Sequence, residues 1–87
     1  MIDEIYILVA TARSVPPSKS FIEHITQSIN TVKTLHNVRE YAESHPHFIE
    51  AIAVLANAIR QYNLIPDIKT SNLMARGNDL VFTDPVV

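Results

Sequence analysis

The sequence predicts a helix-dominated α+β fold, an antiparallel helical hairpin carrying a small β element drawn from its N- and C-terminal segments. Three observations lead there. Phe21 to Leu35 and Phe48 to Tyr62 repeat apolar residues at steps of three and four, the period of one helix face. Two short apolar runs, Glu4 to Ala12 and Leu80 to Phe82, are rich in β-branched and aromatic residues. Prolines and a single glycine separate these segments at the points where chain direction must change. An all-α bundle is the alternative.

The first segment decides between the two. In a strand over Glu4–Ala12, Ile5, Ile7, Val9 and Thr11 line one face and Tyr6, Leu8, Ala10 and Ala12 the other, so both faces are buried in type. Helix is the competing assignment, because Asp3 and Glu4 at the start and Arg13 at the end suit a helix dipole. Strand is favoured. Arg13 to Ser20 is a connection, with Pro16 and Pro17 fixing φ and removing two donors. Ser18 or Ser20 then offers a cap for a helix from Phe21.

In that helix Ile22, Ile25, Ile29, Val32 and Leu35 form the stripe. Beyond Leu35 the apolar steps shorten to three, and Asn37 with Glu40 resembles a second capping box, which predicts a kink or fresh start at His36–Asn37. Ser44-His45-Pro46 restarts the chain with a cap and a first-turn proline. The following helix places Phe48, Ile52, Leu55, Ile59 and Tyr62 on one face, flanked by Ala51, Ala56 and Ala58, which permit close helix approach. Leu64-Ile65-Pro66 ends the helical half. After it, Ser71–Arg76 is either a short helix stopped by Gly77, or Ile68–Ala75 and Leu80–Thr83 are strands around an Arg76-Gly77-Asn78-Asp79 turn. Leu80–Phe82 is a strand in either case, and Val86-Val87 form an apolar tail.

Composition bounds the function. With 87 residues, one compact domain over 1–87 is expected. One glycine excludes glycine-rich phosphate loops, and the absence of cysteine excludes thiolate metal sites, disulfides and thiol nucleophiles. No apolar run approaches the ~20 residues of a spanning helix, and the acidic start is unlike a secretory signal, so a cytoplasmic protein without membrane contact is expected.

Individual chemistry signals are weak. Arg13 to Ser20 lies where a phosphate loop would, but prolines and side chains stand where glycines are needed. What remains is a weak anion site at Lys19 and Ser20. His45 and His47 flank Pro46, and His24 and His36 are too far apart on a helix to share an ion, so no metal and no cofactor is expected. No strained nucleophile turn exists, and Glu40 and Glu43 beside His36 and Arg39 read as a solvated face, so no enzymatic activity is expected. The seven Lys and Arg residues are dispersed and the net charge is −2, which disfavours nucleic acid.

Charged residues are 18% against a typical ~25%, while hydrophobic residues reach 47%. More apolar residues are present than so small a fold hides, which predicts a two-fold homodimer. The expected function is a small protein-binding module, a regulator, adaptor or inhibitor that acts sterically through a hydrophobic helical face. Val38, Tyr41, Ile49, Val54 and Tyr62 are the expected partner-binding residues. The alternative is a dimeric nucleic-acid-binding regulator, recognisable by a steep salt dependence.

Overall fold

Periodicity at Ile5, Leu8, Val9 and Ala12 settles the first segment. These four are the buried residues of its apolar run, and steps of three, one and three place them on one side of a helix, not of a strand. In the computed structural model, which describes residues 1–18, 20–77 and 79–87, that segment is helix α1, Ile2–Arg13. The predicted N-terminal strand is therefore corrected. The β-branched residues of the run are tolerated because packing of Ile5 and Val9 into the core outweighs their small helix penalty.

The remaining elements follow in order: α2 (Phe21–Thr31), a 3₁₀ turn (Lys33–Leu35), α3 (His36–Ser44), α4 (His47–Tyr62), β1 (Leu73–Arg76) and β2 (Asp79–Phe82). The architecture is four helices and a C-terminal two-stranded antiparallel hairpin. α4 packs chiefly against α1 and then against α2. A Cα radius of gyration of 12.0 Å equals the value of about 12 Å expected for a compact chain of this length. The core is aliphatic, with Ile5, Leu8, Ile25, Ile29, Leu35 and Ile52 among its fully buried side chains.

α2 differs from its predicted form. Its buried residues are Phe21, Ile25 and Ile29, while Ile22 is exposed, and it stops at Thr31 because Val32 turns extended at φ −85°, ψ 114°. Ser20 occupies the cap position without a capping hydrogen bond. Its hydroxyl lies 3.1 Å from that of Ser18. Lys19, the other half of the predicted anion site, lies outside the described residues.

The fresh helix start at His36 is present, but the expected Asn37–Glu40 capping box is not. The cap comes from α1. Glu4 Oε1 accepts the amides of Asn37 (2.9 Å) and Val38 (3.2 Å), and Oε2 accepts the Asn37 side-chain amide (2.8 Å). These amides are orphan donors of the first turn of α3, where a carboxylate also meets the positive end of the helix dipole. Burial alone would raise the Glu4 pKa. The Asn37 side chain, the Val38 and Asn37 amides and the Met1 amino group, 3.9 Å from Oε2, outweigh it and hold the carboxyl below its ordinary value. Arg39 closes the other side of the same junction, donating to the carbonyls of Ile29 (3.0 Å) and Val32 (3.3 Å) at the end of α2.

α4 buries Phe48, Ile52, Leu55 and Ile59 as the spacing predicts, but Tyr62 lies outside the core. The helix ends at Asn63, whose left-handed φ of 51° is one that Asn tolerates better than most residues. Of the two readings of the C-terminal third, the strand pair is observed, with β1 shorter than predicted. Its register is Leu73↔Phe82, Met74↔Val81, Ala75↔Leu80 and Arg76↔Asp79. Gly77 takes φ +63° in the connection, a conformation that favours glycine; Asn78 of the predicted turn lies outside the described residues. Leu73, Leu80 and Phe82 pack on the core and Met74 with Val81 stay exposed. The Val86-Val87 tail is tied down: Val87 N–H donates to the Ile65 carbonyl (2.8 Å), and Asp67 N–H to that of Pro85 (2.7 Å).

Candidate binding groove

The outward face of α4 and the C-terminal segment enclose an open groove of ≈ 430 Å³. One wall is α4, through Ala51, Val54, Leu55 and Ala58. The other is Leu64, Phe82, Pro85 and Val86, held in place by the pairing of residues 65–67 with residues 85–87. Every side chain lining it is apolar. Small alanines on α4 leave the space, and Val54, 71% exposed, stands into it.

Ala51 and Phe82 also line a second pocket of ≈ 260 Å³, so the two depressions adjoin along α4. The lining of this second pocket includes the polar side chains of Tyr41, His45, His47 and Asp79. The Tyr41 ring stacks on His45 with centroids 3.9 Å apart and planes at 9°, and meets the edge of Phe48 at 5.0 Å. Tyr41 Oη accepts the Leu80 amide at 2.7 Å, which docks β2 onto the corner between α3 and α4. Replacing Tyr41 with Phe keeps the stacking and leaves the Leu80 amide without its partner. The variant is expected to lose about 1–2 kcal/mol in urea denaturation, since a lone part-buried donor costs that much.

The five predicted partner-binding residues do not form one patch. Val54 lies in the apolar groove. Tyr62, 66% exposed, continues the Val54–Ala58 row by one helical turn. Tyr41 is half-buried and already engaged with His45, Phe48 and Leu80. Ile49 is half-buried against the core. Val38 is fully buried, and its placement on a binding surface is corrected to the core: it belongs to the cluster of buried apolar residues and its amide is held by Glu4. The groove's second wall escaped sequence reasoning, because nothing in the local spacing announces that Pro85-Val86 folds back beside Ile65-Pro66.

Other groups are placed apart from one another. His47 Nδ1 lies 3.3 Å from Glu50 Oε2 and His36 Nε2 3.3 Å from Glu40 Oε1, both on exposed helix faces. Arg13 and Arg60 line one polar pocket of ≈ 270 Å³ where the C-terminal ends of α1 and α4 meet. Lys69 lies 3.7 Å from Asp67 Oδ2. No helix among the described residues is long and apolar enough to cross a membrane. Comparison with known proteins adds no family: no family model matches the chain, and no curated protein or solved structure matches it either.

Proposed function

We propose that the chain is a non-enzymatic protein-binding module, a regulator, adaptor or inhibitor that works sterically through the outward face of α4. The observation that carries this reading is the uncharged groove around Val54, an apolar concavity of the kind that accepts a side-chain row from a partner helix or extended segment. Tyr62 at the end of the same row supplies the aromatic type that anchors interfaces. Tyr6 and Ile7 on α1 and Ile22 on α2 stay exposed in a single chain, which supports self-association as a homodimer. Arg39 is occupied at the end of α2 and Lys69 sits beside Asp67, which supports a protein partner over nucleic acid.

The test is capture of the partner by tagged wild type and by Val54→Asp, with circular dichroism and sedimentation on both. A charge placed in the groove is expected to weaken partner binding by at least about 30-fold, the cost of disrupting a central interface position, at unchanged helix content. Equal capture by both proteins removes the groove from the interface. A captured nucleic acid released by salt replaces the reading with the alternative regulator.

A further inference from the structure

The joint between the helices and the hairpin carries a histidine whose tautomer is fixed by its neighbours. His45 Nδ1 lies 2.9 Å from the carbonyl oxygen of Tyr41. A carbonyl only accepts, so Nδ1 bears the hydrogen. In the neutral ring Nε2 is then a bare acceptor, and it faces Asp79 Oδ1 at 3.6 Å, also an acceptor. That contact is beyond hydrogen-bond range and offers the neutral ring nothing. A proton on Nε2 reverses it, giving a charge-assisted donor aimed at a carboxylate, on a ring already stacked face to face on Tyr41.

We propose that His45 is a pH-responsive latch that tightens the docking of β2 onto the α3–α4 corner when its ring is charged. The neighbouring polar contact, from the Leu80 amide to Tyr41 Oη, reports on the same joint because Leu80 follows Asp79 directly. The titratable groups lining this pocket are Tyr41 from α3, Asp79 from β2 and His47 from α4, the last directed to Glu50 at 3.3 Å. Among the described residues, Asp79 is thus the one carboxylate of the pocket wall that the charged ring meets. The His45 side chain is 20% exposed and that of Asp79 73%, so the ring is sheltered while its partner is largely solvated, and the gain is modest. The latch is engaged while the His45 ring is charged and released when the ring is neutral. Phe82 lines both this pocket and the apolar groove, so the same event steadies one groove wall.

Amide hydrogen exchange of Leu80 in the intact chain tests this, with each rate corrected to a protection factor at pH 7.5 and 5.5. In wild type the factor is expected to rise about two- to fivefold on acidification, the range for a partly exposed ion pair, in step with the ¹⁵N imidazole titration of His45. Asp79→Asn, an exposed position that keeps size and shape, is expected to retain the fold and show no rise. A flat or falling wild-type profile overturns the latch. So does an equal rise in Asp79→Asn, or a neutral ring carrying its hydrogen on Nε2.

Discussion

Replacing Glu4 with Ala is expected to cost about 2–4 kcal/mol, because three hydrogen bonds to a charged acceptor vanish together and two backbone amides of α3 lose their cap. Against a stability of about 4–13 kcal/mol for 87 residues, that is a large share. The thermal midpoint is expected to fall by about 10–25 °C. Local helix propensity does not offset this, since Ala favours α1 by only a few tenths of a kcal/mol over Glu. The loss is tertiary, across a sequence separation of 33 residues.

The same carboxylate sets the acid limb of stability. Its folded-state pKa is depressed, so its contribution is complete above the unfolded value of about 4.3 and is lost as pH falls through the lower folded value. Glu4→Gln separates charge from shape: one amide oxygen cannot serve all three donors, and its NH₂ opposes them. Denaturation at pH 7 and pH 3 should show a wide gap between wild type and Glu4→Gln at pH 7, narrowing at pH 3. A gap independent of pH would mean that the charge of Glu4 does not matter to the cap.

The helical half was legible wherever the apolar period was unambiguous. Phe48, Ile52, Leu55 and Ile59 follow one face and are buried as a set. The first segment was ambiguous because nearly every residue from Ile5 to Ala12 is apolar, so periods of two and of 3.6 fit equally well. The helical alternative, supported by Asp3, Glu4 and Arg13, is the one observed, and only the position of α4 decides which apolar residues are covered. The break near His36 was visible as a drift of the stripe. Its cap was not, because Glu4 is remote in sequence while Asn37 and Glu40 mimic a local box. The groove was half legible: Val54 stood out as an apolar residue off the main stripe, whereas its opposite wall depends on how the chain end pairs.

Val38 and Val54 now separate core from surface. Both were expected on one binding face, and aspartate at the two positions is expected to give opposite results. At Val38 the side chain is 0% exposed and its carboxylate would have no partner, since Glu4, already charged and fully engaged, lies beside it. The desolvation cost is several kcal/mol, and the lost burial of valine adds about 1.5–3. Together these reach the whole stability of a chain this small, so Val38→Asp is expected to show no cooperative unfolding transition at pH 7. Val38→Ala, losing methyls alone, is expected to fold and to be weaker by about 2–3 kcal/mol. At Val54, 71% exposed, the same aspartate leaves the core untouched and is expected to shift stability by no more than about 0.5 kcal/mol. Urea denaturation of the three variants checks all of this: a folded Val38→Asp would remove Val38 from the core, and an unfolded Val54→Asp would mean that the groove is filled by the protein's own packing and is not open to a partner.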